Sequence, residues 1–279
     1  MGAAWMMRWR EEQKAREQEQ STPTAQPVAV EHDDKGRVIL TQEQIDERID
    51  IANRLGNPAD FSNTNLKFKK LNGEMYRANF ENADLSFADM RKANAEGANF
   101  KNAILEQTEF NEAELTGAVF TSAKAESAYF ERANLRYAMF RNTEAPYADF
   151  SGAIFHEADL TGAKFNHAKM KGAHFDHATI FNGAVFDHAD LSESFFAYVN
   201  RCGAHLQAVS CVQTKFTNAK MRHVIMAPDS NYEGADFTGA DEDKTGLKSF
   251  RYSGCRLGAL DNFFKDMKRA RDKGIIISR

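Results

Sequence analysis

Cysteine is scarce in this chain: Cys202, Cys211 and Cys255 are an odd set without metal-ligand or redox spacing. A disulfide framework is therefore not expected, and a reducing compartment is. Proline is nearly as rare, 5 residues against 22 Phe within a 42% hydrophobic composition. Such a chain is not disordered as a whole, and its apolar mass comes in large pieces. No apolar run approaches membrane-spanning length, and Met1 to Arg10 is too short for a signal peptide. The cytoplasm is the expected location, with incorporation into a larger particle compatible with it. Also missing are a nucleophile beside a base, a glycine-rich phosphate loop and a converging pair of carboxylates. The sequence accordingly predicts no enzyme, no cofactor and no small-molecule substrate.

A dominant charge is absent too, the net value being −4. Its distribution is uneven: residues 1–58 carry 8 basic and 11 acidic groups, residues 59–242 carry 18 and 25, and residues 243–279 carry 10 and 4. These boundaries give three domains: an N-terminal extension (1–58), a repeat region (59–242) and a basic C-terminal tail (243–279).

What the repeat region has in abundance is order. From Ala78 to Ala178 every fifth residue is Ala, except Thr108 and Thr143. Two residues after each comes a second column, Phe80, Leu85, Met90 and so on to Ile180, with 10 Phe and 5 Leu. A period of five fits neither the 3.6 of a helix nor the 2 of a strand, so the chain must turn within each repeat. Between the columns stands Asn or Asp in many repeats, as in Ala78-Asn79-Phe80 and Ala158-Asp159-Leu160.

These residues resemble the A(D/N)LXX signature of the pentapeptide-repeat family. The resemblance implies an all-β solenoid, a right-handed quadrilateral β-helix in which each pentapeptide forms one side and 20 residues make a coil. Ala and the central Phe or Leu would point inward, and the residue before the centre outward. Centres at Phe61, Leu66 and Leu71, Met75 to Ile180, Phe186 to Met226, and Tyr232, Phe237 and Glu242 give 37 repeats. That is about nine coils, or a rod of roughly 40 to 45 Å. Slips of register are expected near Asn182-Gly183 and at Pro228-Asp229.

In the flanks, Trp5 to Gln20 reads as a helix before the linker Ser21 to Pro27, and Arg37 to Leu40 as a short strand. Thr41 and Gln44 form a capping box for a helix Gln42 to Leu55, expected to cover the first coil. Near the other end, Leu260, Phe263, Phe264 and Met267 recur at helical spacing among Lys265, Lys268, Arg269, Arg271 and Lys273. The resemblance implies that such an element pairs two solenoids into a homodimer; covering the last coil is the other reading.

Since only the outer walls of such a tube are free to act, apolar residues in the outward column are the binding candidates. They are Ile104, Val119, Tyr129, Met139 and Ile154, with Tyr137 at a corner; Val119 and Met139, 20 residues apart, should stack on one side. Histidines 156, 167, 174, 177 and 188 are concentrated, with His167 above His188, but one column of a flat face does not supply a metal centre. The function expected is a non-catalytic protein-interaction or structural scaffold, such as a component of a viral particle or bacterial adaptor complex, bound to a protein partner. Neither membrane nor direct nucleic-acid binding is expected. The alternative implied by the resemblance is a DNA mimic that binds and protects type II topoisomerases.

Overall fold

The computed structural model describes residues 30–176, 178–196, 205–206, 208–221, 225–226, 230–231, 234–236 and 240, with 205–206 and 225–226 described for backbone alone. The chain divides between Glu31 and His32 into two units, and the repeats lie wholly in the second. The helix expected at Trp5 to Gln20, the C-terminal set Leu260, Phe263, Phe264 and Met267, and the centres Tyr232, Phe237 and Glu242 lie outside the described residues, as does His177.

The five-residue period forces a repeated corner. In each repeat the amide after the turn donates back to the central residue, as in Ala83 to Phe80 (3.0 Å) and Ala103 to Phe100 (3.0 Å). The residue just before that amide takes positive φ, +60° at Asn82 and +56° at Asn102, the mark of a type II turn. A flat run then pairs in parallel with the coil below: Phe80 N–H donates to Asn99 O (2.7 Å) and Asn99 N–H to Ala78 O (2.9 Å). Four such sides make a 20-residue coil, so Asn79 pairs with Asn99, Asn99 with Val119, and Val119 with Met139. The result is a β-helical solenoid.

Inside, the two columns divide the space by size. Phe80, Phe100, Phe120 and Phe140 stack face to face at 4.6 to 4.9 Å behind one wall. Phe110, Phe130 and Phe150 stack at 4.7 to 4.8 Å behind the opposite one. The stacks meet edge-on across the axis, as Phe110 meets Phe120 at 6.0 Å and 90°, the arrangement that ring quadrupoles favour. The other two sides of those coils supply mostly Leu or Ala, such as Leu115, Ala125 and Leu135, until Phe155, all fully buried. The Thr108 and Thr143 hydroxyls, standing in for Ala, donate to Leu85 O (2.8 Å) and Phe120 O (2.7 Å), so neither buried hydroxyl is stranded.

At the start, β1 (Val38–Ile39) pairs in parallel with β2 (Thr64–Asn65). Helix α1 (Gln42–Leu55) lies between them in the chain, with Thr41 and Gln44 in a reciprocal capping box and Gly56 closing it in the left-handed region. Ile45 and Ala52 are its buried residues. Gln42 pairs with both backbone groups of Lys70 (2.8 and 3.1 Å), and Arg48 donates to Asp60 O while lying over the Phe61 ring. These side chains satisfy edge groups that no preceding coil meets. A buried ion cluster adds to this: Arg37 bridges Asp33 (2.8 Å) and Asp84 (2.7 Å). Burial works against the Asp33 carboxylate, but bonds from the Arg37 amide and guanidinium and the Lys35 amide outweigh it and hold its pKa below the usual range.

Two features correct the expected register. Ile180, expected at a centre, is 41% exposed, while Phe181 beside it is 0% exposed. The slip thus precedes residue 180 instead of falling at Asn182-Gly183, and Asp159 pairs with Ile180 at a spacing of 21. Asp176 makes the longer corner, its carboxylate accepting from the amides of Ala178 (3.1 Å), Thr179 (3.0 Å) and Glu157 (3.0 Å). Thr179 takes the small inner position, and the ring of Phe181 joins the aromatic core beside Phe175 at 5.4 Å. The second correction is longer. Val185 pairs with Ser210 and Phe195 with Lys220, 25 residues apart, whereas β3 (His205–Leu206) pairs with β4 (Ile225–Met226) at 20. The ladder spacing is thus longer by five wherever it spans the interval 195–205. A further slip of one lies between Met226 and Asn231, the interval that contains Pro228-Asp229.

Beside the 176–178 corner, His156 and His174 approach edge to face at 6.4 Å. Burial lowers both pKa values; His156 lowers that of His174 further, Arg136 reinforces the effect on His156, and Asp176 and Glu157 oppose it.

Phe120→Ala removes a ring in contact with four others and should destabilise the solenoid by about 3 to 5 kcal/mol in denaturant titration. Because both histidines bind protons less readily folded than unfolded, stability is complete above the ordinary value of about 6.5 and declines as pH falls below it. The melting temperature should therefore drop between pH 7.5 and pH 5, and the drop should shrink in the variant carrying His156→Asn and His174→Asn.

Candidate functional site

Outward side chains come from three positions of each repeat: the wall residue before the centre and the two corner residues after it. Stacking at a spacing of 20 sorts them onto four walls, here A to D in chain order. Wall A carries Asn99, Val119 and Met139; wall B, Ile104 and Lys124; wall C, Glu109 and Tyr129; wall D, Asn134 and Ile154. Walls A and C are opposite, as the two phenylalanine stacks behind them show.

The six sequence candidates are thus divided. Val119 and Met139 pair directly on wall A, Val119 half-buried and Met139 37% exposed. Tyr137, 53% exposed, stands at the corner leading into that wall and hydrogen-bonds the Glu157 carboxylate, which raises the phenol's pKa. Tyr129 lies on wall C, 40% exposed, between Glu109 and Asp149. Ile154 is half-buried on wall D between Asn134 and His174, and Ile104 half-buried on wall B between Asp84 and Lys124. Only Val119, Met139 and Tyr137 are brought together.

Above this group wall A is polar, with Asn79 and Asn99 stacked over Val119 and Asp60 at its head accepting from Asn79 (3.0 Å). Asn99 donates to Asn79 (3.1 Å), and along the neighbouring corner Asn102 to Asn82 and Asn82 to Asn63 (3.2 Å each). Below it, Asp159 is buried beneath Arg141, whose guanidinium it accepts at 2.5 Å. Burial works against the Asp159 carboxylate, but bonds from Thr161 and Arg141 lower its pKa. One coil further, the exposed Ile180 returns an apolar side chain to the same wall.

The corners carry aromatic stacks, of which the sequence marks His167 over His188. Phe68 and Phe87 are exposed and stack at 4.9 Å, and Tyr147, His167 and His188 form a continuous stack at 4.8 and 4.7 Å. All five sit at the positive-φ corner position, two residues after a centre, and aromatic residues spaced by 19 to 21 at that position are the signal. Flat stacking directs the His167 and His188 rings at each other, not at a common point. No cluster of three or more metal-binding side chains occurs among the described residues, and none of the helices described is long and apolar enough to cross a membrane.

A family model described as a pentapeptide repeat region matches residues 93–175, and one described as pentapeptide repeats (8 copies) matches residues 179–222. None of the curated proteins compared is similar to the chain. Among solved structures, HetL, a pentapeptide repeat protein involved in heterocyst differentiation regulation from the cyanobacterium Nostoc sp. strain PCC 7120, is 23% identical over 75% of this chain and 95% of its own, with a TM-score of 0.38. QnrB1, a plasmid-mediated fluoroquinolone resistance protein, is 18% identical over 75% and 98%, with a TM-score of 0.43. Rfr23 from the cyanobacterium Cyanothece 51142 is 14% identical over 72% and 96%, with a TM-score of 0.18. The family matches, and not these superpositions, carry the assignment. On those matches and the ladder they cover, residues 93–175 and 179–222 of this chain are pentapeptide repeats.

Proposed function

We propose that this protein is a non-catalytic interaction or scaffold protein whose stiff solenoid presents wall A to a protein partner. The observation that carries this reading is the outward pairing of Val119 with Met139, beside Tyr137. In a solenoid whose interior is filled by the Ala and Phe columns, these apolar groups gain nothing by folding inward, and contact with another surface is what removes them from water. Arg136 flanks the group, while Arg141 is held by Asp159 and the Tyr137 hydroxyl by Glu157, so the complementary surface is chiefly apolar.

The topoisomerase-mimic reading requires a long, unbroken negative face. Elsewhere than on wall C opposite charges pair: Lys164 with Glu144 (2.9 Å) and Lys101 with Glu81 (3.3 Å). Wall C is acidic over three coils but is bounded by Arg91 and Lys92 above and Lys169 and Lys171 below. That pattern favours the partner-binding reading.

The variant with Val119→Asp and Met139→Asp should lose partner recovery in affinity capture, while its melting temperature moves by less than about 4 °C. Undiminished recovery would remove wall A from the account. Purified protein should also leave gyrase supercoiling unaffected at micromolar concentration; inhibition would restore the mimic reading.

A further inference from the structure

The middle of wall C carries a charge that the rest of the solenoid balances and this part does not. Across the three coils 106–112, 126–132 and 146–152, the wall and its two corners hold six carboxylates against Arg132 alone. The corresponding stretches of wall A carry a net charge of +2, of wall B zero and of wall D −2. Of the six, Glu109 pairs with Arg91, Glu112 with Lys92 and Asp149 with Lys169. Glu106, Glu126 and Glu131 are exposed and make no ion pair with a described residue.

Glu106 and Glu126 also break the rule of the ladder. They stand one coil apart at the same corner, where like charges destabilise a parallel pair, whereas the stacked like charges Asp89 and Glu109 are bridged by Arg91. Tyr129, exposed between Glu126 and Glu131, offers a ring to a cation. An outer wall with an unbridged carboxylate stack and an exposed tyrosine fits a segment bearing several Lys and Arg.

The chain contains one. Residues 265–273 hold Lys265, Lys268, Arg269, Arg271 and Lys273 against Asp266 and Asp272, within a tail of net charge +6. The solenoid is described as far as Ala240, and Asp236 is itself on wall C, four coil steps below Asp149. That separation is about 19 Å. The 24 residues between Ala240 and Lys265 span up to about 80 Å extended, so reach imposes no limit.

We propose that the acidic middle of wall C, centred on Glu106, Glu126, Glu131 and Tyr129, is the docking surface for the basic segment 265–273 of the same chain. Docking there neutralises the stacked carboxylates and leaves wall A, on the far side of the tube, uncovered.

Zero-length carbodiimide coupling, which joins carboxylates to lysines, tests this on the intact chain mixed with isotope-labelled chain at low ionic strength. The expected products are intrachain links from Glu106, Glu126 or Glu131 to Lys265, Lys268 or Lys273. Their yield should fall at least about fivefold in 0.5 M salt, and to a similar extent in the variant with Arg269→Glu and Arg271→Glu, which keeps every wall carboxylate and every lysine. Links formed equally to Glu96 or Glu144 on other walls, links only between chains, or yields indifferent to the arginine reversal would each overturn the proposal.

Discussion

Everything in this molecule depends on the parallel main-chain ladder between coils, because it fixes both what goes inside and what remains outside. Each side contributes donors at 2.6 to 3.1 Å to its neighbours, as from Phe110 to Tyr129 and from Asn102 to Thr121. Holding the ladder at every corner requires left-handed backbone at non-glycine residues as bulky as Phe87, Tyr147 and Arg132. Each such residue costs about 1 to 2 kcal/mol. The cost is spread along the solenoid and offset locally, since such corners also gain a turn hydrogen bond and turn an apolar centre into the core. Where a corner packs tightly, glycine is used instead: a Cβ on Gly162 would stand 2.5 Å from the Asn142 side chain of the coil above.

The stack also explains how far the sequence could be read. Alternation of Ala with Phe or Leu is a packing requirement imposed on every side, so the period, the inner columns and the pairing of Val119 with Met139 were legible. The capping box of Thr41 and Gln44 was legible because it is a local exchange of hydrogen bonds. Two things were hidden. The ladder spacing of 25 across the interval 195–205 preserves the five-residue period, so the period conceals it, and only the charged Arg201 at a centre position marks it in the sequence. At Ile180-Phe181 either side chain is apolar enough for the core; the longer corner built on Asp176 and the ring contacts of Phe181 select the second.

The walls were less legible than the core for a related reason. Five of the six candidates share one position in the pentapeptide, yet a surface is defined by the 20-residue coil, and Ile104, Tyr129 and Ile154 fall on three different walls. At the corners the stack of His167 on His188 was legible from their spacing, whereas the Phe68–Phe87 stack and the Tyr147 ring that extends the histidine pair were not. Backbone conformation disfavours bulky residues there, so a large ring at such a corner is more informative than an apolar residue on a flat wall.

A rigid square tube separates its surfaces in a way a globular domain does not. Adjacent walls share only a corner, and opposite walls share nothing but the ring stacks between them, so the charge on wall C can vary without disturbing the apolar pair on wall A. Each wall can therefore hold a different chemistry at the same height: chiefly apolar on A, ion pairs on B, carboxylates around a tyrosine on C. A partner that grips wall A and a basic segment lying on wall C would compete for no residue. Because neighbouring coils are tied by the same ladder throughout, occupation of either wall would stiffen the coils that carry the other, linking the two surfaces through order and not through displacement.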